Sequence, residues 1–94
     1  MKVLTEAEIA DFVANNAEWL FADGKLTREW RFKDFAAAME FVNRVATVAE
    51  EAGHHPDIDI RYNRVRLGLV THDSGGITGR DAAMATRLSR ELPA

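Results

Sequence analysis

His54-His55-Pro56-Asp57-Ile58-Asp59-Ile60-Arg61-Tyr62-Asn63-Arg64-Val65-Arg66-Leu67-Gly68-Leu69-Val70-Thr71-His72 is the stretch from which the rest of the chain can be placed. Ile58, Ile60 and Tyr62 alternate with Asp57, Asp59 and Arg61, and Val65, Leu67 and Leu69 resume the alternation after a break. A period of two marks a half-buried strand, and two such runs with a short polar link predict an antiparallel hairpin. Asn63-Arg64 reads as the turn, with Asn63 taking the positive φ. A two-residue turn there sets Tyr62 opposite Val65, Ile60 opposite Leu67 and Ile58 opposite Leu69. Continued outward, the register puts His55 beside His72, about 5 Å apart. The bare face of the hairpin would carry Asp59, Arg61, Arg66 and Gly68. All three histidines of the chain then gather at one open end.

Upstream, Asp34 is a good N-cap for a long helix over Phe35–Ala52. Phe35, Ala38, Met39, Val42, Val45, Ala46 and Ala49 form its apolar stripe, and Gly53 stops it as a left-handed residue. Glu50 falls in the last turn, where the helix dipole disfavours a carboxylate. Before that, Trp19-Leu20-Phe21 and the alternation of Leu26, Arg28, Trp30 and Phe32 read as two strands joined at Asp23-Gly24. Thr5-Glu6-Ala7-Glu8 has capping-box spacing and opens a helix to about Asn15. Downstream, Asp73-Ser74-Gly75-Gly76 is a tight loop. Thr78 and Asp81 repeat the capping-box pattern, and the helix behind them runs to about Leu92, with Pro93 as its stop. The order predicts an α+β fold: a four-stranded antiparallel sheet with three helices packed on one face.

The 94 residues suggest one domain, residues 1–94. Hydrophobic residues at 47% and charged residues at 29% argue against disorder. A net charge of −3 argues against direct nucleic-acid binding, which wants a basic stripe. The absence of cysteine removes disulfides, thiolate catalysis and cysteine–zinc sites. No run is long and apolar enough for a membrane, and the expected location is the cytoplasm.

His54, His55 and His72 carry three readings. They could be loop residues that cap backbone groups. They could bind zinc with an open position, but adjacent histidines on extended chain point to opposite sides and chelate poorly. Third, they could act as acid and base, since the unperturbed imidazole titrates near neutrality. The third reading uses the spacing as it stands and is favoured; no metal is expected. Gly75-Gly76 before Thr78 lacks the full pattern of a phosphate loop and reads as a tight turn into a helix. Arg80 and Asp81 read, from residues alone, as a surface ion pair. Trp19, at a strand start beside a polar loop, is kept as a wall for a flat ring.

Phe32-Lys33-Asp34-Phe35, Ala49-Glu50, His54-His55-Pro56, Tyr62-Asn63-x-Val65, Thr71-His72 and Gly76-x-Thr78-x-x-Asp81 together resemble the pterin-4a-carbinolamine dehydratases. The resemblance runs in unbroken order from about Trp19 to Leu92. It implies the family's four-stranded sheet, assembly as a homodimer or homotetramer, and loss of water from 4a-hydroxytetrahydropterin to give the quinonoid dihydropterin. By resemblance, His54, His55 and His72 take the catalytic histidine positions. His54 and His72 would transfer protons, and His55 would orient the pterin. Glu50 would stand beside them, and Arg80 and Asp81 at the pocket rim. With Trp19, Pro56 and Thr71 these complete the expected substrate contacts. No cofactor is implied. Ile58 stands where the animal pattern has an aromatic residue, and Ser74-Gly75 where it has Cys-Ala. Members also serve as dimerisation partners of transcription factors, and a dehydratase acting on another pterin, such as a molybdenum-cofactor precursor, is the other alternative.

Overall fold

Local signals place the element ends. Thr5 accepts from the Glu8 N–H at 3.1 Å, and Glu8 returns to the Thr5 N–H at 2.8 Å. That reciprocal cap starts α1 (Glu6–Asn15). Asp23 and Gly24, at φ 54° and 75°, make the tight link between β1 (Leu20–Ala22) and β2 (Lys25–Arg31). Asp34 caps α2 (Phe35–Ala52) through the Ala37 N–H, and Gly53 at φ 63° ends it. β3 (Asp57–Arg61) and β4 (Arg64–Leu69) follow, then a 3-10 turn at His72–Ser74 and α3 (Gly79–Glu91). The computed structural model describes residues 2–92; Pro93, the expected stop, lies outside the described residues. No helix among the described residues is long and apolar enough to cross a membrane.

The four strands form one antiparallel sheet in the order β1-β2-β4-β3. The second hairpin differs from the sequence reading. Arg61 pairs with Arg64, Ile60 with Val65 and Ile58 with Leu67. The turn is Tyr62-Asn63, and the positive φ falls on Tyr62 at 53°. The reason lies on the neighbouring strand. Asn63 accepts from the Phe32 N–H at 2.9 Å, and its Nδ2 donates to the Phe32 carbonyl at 2.8 Å. The β2–β4 ladder thus claims Asn63, and the left-handed position moves back to Tyr62. A two-residue slip keeps every side chain on its face but changes its partner. Continued past the strand ends, the observed register brings His54 level with Thr71 and His55 level with Val70, so the expected His55–His72 pairing does not occur.

Burial separates the two faces of the sheet. Leu26, Trp30, Val65, Leu67 and Leu69 are buried in one cluster with Ala38, Phe41, Val45, Met84 and Leu88 from the helices. The alternate positions Glu29, Arg31, Asp59, Arg61 and Arg66 are exposed. The buried stripe of α2 is Ala38, Phe41, Val45, Val48 and Ala49, rotated from the expected one; Phe35 is half exposed. Arg28 shares the apolar row of β2. Its guanidinium lies 4.4 Å from the Trp30 ring centroid and donates to Ser89 at 3.1 Å. Burial pushes Arg28 below the ordinary arginine range, and Glu18 partly offsets this. At the other end of the fold, Val3 pairs with Thr78, and the Leu4 N–H donates to the Ile77 carbonyl at 2.7 Å.

Candidate functional site

The end of α2 and the end of β4 meet the start of α3. His54 directly follows the left-handed Gly53, and its N–H closes onto the Ala49 carbonyl at 3.2 Å. This turn folds the imidazole inward, and His54 is only 9% exposed. Its Nε2 lies 2.5 Å from Asp81 Oδ1. Asp81 is fully buried in the first turn of α3.

A buried carboxylate needs partners for both oxygens. Asp81 Oδ2 accepts from the Thr71 hydroxyl at 2.8 Å and from the Thr78 N–H at 2.9 Å. The two threonine hydroxyls are 2.8 Å apart. Each hydroxyl has one proton. Because Thr71 donates to Asp81, Thr78 must donate to Thr71, and Thr78 Oγ1 in turn accepts from the Arg80 N–H at 3.2 Å. The chain of donors therefore runs one way, from the helix N-terminus to the carboxylate. Asp81 as acceptor fixes the proton of a neutral His54 on Nε2 and leaves Nδ1 as the basic nitrogen; this tautomer follows from the network. Nδ1 has no hydrogen-bond partner among the described residues.

His55 is held differently. Its Nε2 contacts a Glu50 carboxylate oxygen from the last turn of α2, and both side chains face solvent, at 62% and 77% exposure. His72 begins the 3-10 turn after β4 and is exposed. Gly53, His54, His55, Thr71, His72 and Arg80 line one open cleft of about 260 Å³, with Val70 and Asp73 completing it. Arg80 also donates to the Gly53 carbonyl at 2.7 Å, so a cation closes the end of α2.

The structure thus brings the three histidines, Thr71 and Arg80 to one cleft, with Glu50 attached through His55. Asp81 stands behind His54 and not at the rim. Thr78, expected to border the cavity, is fully buried one hydrogen bond farther back. Trp19 is 1% exposed, packs edge-on against Trp30 at 5.9 Å and donates to Ser89; it does not line the cleft. Pro56 and Ile58 do not line it either. Among the described residues, no three His, Asp or Glu side chains converge closely enough to hold a metal ion.

Such a cleft can accept a proton at one imidazole and deliver one from another. Comparison with known proteins identifies the family. The family described as pterin 4 alpha carbinolamine dehydratase matches residues 2–91. A protein of Chloroflexus aurantiacus provisionally named pterin-4-alpha-carbinolamine dehydratase is 52% identical over 88 residues, covering 94% of this chain and 95% of that one. A Thermomicrobium roseum protein of the same provisional name is 53% identical over 89 residues, with 95% and 96% coverage. The crystal structure of a transcriptional coactivator/pterin dehydratase from Brucella melitensis superposes with a TM-score of 0.86 at 36% identity, covering 95% of this chain and 97% of that one. A pterin dehydratase-like protein identified as a RuBisCO assembly factor in the α-carboxysome shares the fold alone, with a TM-score of 0.63 at 22% identity and 81% and 88% coverage.

Proposed function

Because this chain belongs to the pterin-4a-carbinolamine dehydratase family, we propose that it dehydrates 4a-hydroxytetrahydropterin to quinonoid dihydropterin by histidine acid–base catalysis and so regenerates a pterin cofactor. The observation that carries this reading is the shared cleft, lined by a buried His54 held by Asp81 and by an exposed His72. One imidazolium gives its proton to the 4a-hydroxyl as the C4a–O bond breaks and water leaves. One neutral imidazole takes the N5 proton as the C4a=N5 double bond forms. One proton leaves the pair and one enters it, so its proton count is unchanged, but the base ends the turnover protonated and the acid neutral, and exchange with solvent resets both. The tautomer held by Asp81 gives His54 Nδ1 the base role. His72 is the acid, free to exchange with solvent between turnovers. Each transfer contributes about 10²–10⁴-fold. His55 with Glu50 and Arg80 positions the polar edge of the ring.

Homo-oligomeric assembly in the cytoplasm completes the proposal. All five residues of β3 are exposed, and Ile58 and Ile60 remain 39% and 37% exposed on an unpaired strand edge. An antiparallel copy centred on Ile60 would set Asp59 opposite Arg61 in both directions, so the edge is complementary to itself.

Stopped-flow dehydration of synthetic 4a-carbinolamine is the test. Wild-type protein should accelerate it, with activity unchanged after extensive chelation. A rate equal to the uncatalysed one would refute the enzymatic reading and leave a binding module.

A further inference from the structure

The polar face of the sheet holds two neighbouring rows of unlike character. In one, the register places Glu29, Arg66 and Asp59 side by side on β2, β4 and β3. The signs alternate across the three strands, so no like charges face each other there. In the next, Arg31, Arg64 and Arg61 stand abreast on the same strands. Like charges directly opposite one another destabilise a sheet. The next position of the same parity, just past β2, is Lys33, another cation, and supplies no acid.

The carboxylates nearby are already engaged with the outer arginines. Asp59 Oδ1 is 3.4 Å from Arg61 Nε, and Glu29 Oε2 is 3.9 Å from Arg31 Nε. Arg66 turns to Asp23 at 3.6 Å. Arg64, half-buried on the central strand, has no carboxylate at ion-pair distance among the described residues. A polar cleft of about 250 Å³ opens over Glu29, Asp59, Arg61, Arg64 and Arg66. Counting Asp23, which holds Arg66, the four arginines of this face meet three acids, and Arg64 is the cation left over on a chain whose net charge is −3.

We infer that this face is a second site, which binds a small phosphorylated anion through the Arg31–Arg64–Arg61 row. The guanidinium fork matches phosphoryl oxygens in pairs, and the strand register sets the three side chains abreast. A phosphoryl dianion supplies the counter-charge that Arg64 lacks. The site is separate from the histidine cleft. His55 lies two residues before β3, whereas Arg61 ends it, so the two are roughly 20 Å apart along the strand.

The experiment is a titration of the full chain with inorganic pyrophosphate at low salt, followed by backbone amide NMR shifts and by calorimetry. The expected result is saturable binding, with shifts concentrated on β2, β4 and β3 around Arg31, Arg64 and Arg61. Arg64→Gln should weaken binding at least tenfold, and Arg64→Lys, a point charge without the fork, should fall between. Arg61→Gln should also weaken it, and its exposed position keeps the fold out of question. Arg90→Gln, on α3, should bind as wild type, and pterin dehydration should be unchanged in the Arg64 and Arg90 variants. The inference is overturned if pyrophosphate does not saturate, if Arg64→Gln and Arg61→Gln both bind as wild type, or if the shifts centre on His54 and His72.

Discussion

Two histidine–carboxylate pairs adjoin one cleft, built from consecutive residues, yet they differ in almost every physical respect. The His54 and Asp81 side chains are 10% and 0% exposed, and the carboxylate has three donors. His55 and Glu50 are 62% and 77% exposed, and each has the other as its protein partner among the described residues. Desolvation makes the first pair expensive to break, because each member left alone is a buried polar group without a partner. The second pair is bathed in water and salt, where Coulomb attraction is weak. The first pair therefore sets geometry, and the second can exchange partners with a ligand.

Breaking the buried pair gives the largest expected effect. Asp81→Ala should destabilise the fold by about 3 kcal/mol, since His54, Thr71 and Thr78 each lose an acceptor. Urea unfolding measures this, and a loss below about 1 kcal/mol would remove the distinction between the pairs. Asp81→Asn sharpens the comparison. Its amide presents NH₂ to one of three donors, and the conflict is relieved when His54 moves its proton to Nδ1. The fold should survive while dehydration falls by about 10²-fold or more, as expected when a base is held in the wrong tautomer.

Removal of the imidazoles comes next. His54→Ala and His72→Ala should each lower the dehydration rate at least tenfold. Circular dichroism should be unchanged for His72→Ala, because that side chain is exposed. Wild-type rates in both variants would end the acid–base assignment. Glu50→Gln should have the smallest effect: less than about 0.5 kcal/mol in stability and no more than a few-fold in rate. An effect as large as that of Asp81→Asn would mean that Glu50 and His55 become buried once substrate binds.

Much of this was legible in the chain because local rules and tertiary packing agreed. Thr5 with Glu8, Asp34, Gly53 and Thr78 with Asp81 mark their helix ends as the structure has them. Asp23-Gly24 announced its turn because both residue types tolerate positive φ. The second turn was misplaced because a bulky tyrosine occupies the left-handed position, against preference, under the pull of the Asn63–Phe32 bonds. Three histidines were found from their number and spacing, and their common cleft survived the slip in register. The roles of Asp81 and Trp19 were harder. A capping-box carboxylate has a second oxygen, and only the fold shows that His54 takes it. Trp19 beside a polar loop looked like a cleft wall, but Ser89, seventy positions along the chain, gives its indole a buried partner.

The short bridge between Val3 and Thr78 makes the donor chain mechanically exposed. Thr78 carries two of the hydrogen bonds that orient the site, one to Asp81 and one to Thr71. The same residue is strapped to the N-terminal segment, with the Leu4 N–H on the adjoining Ile77 carbonyl. A force applied ahead of Val3 is transmitted to that cap before it reaches the four-stranded sheet. Under tension the machinery around His54 should therefore slacken first, while the barrier to unravelling the strands is still intact. An optical-tweezer trace with a small early yield, abolished by tethering at Lys25 instead, would record that order of failure.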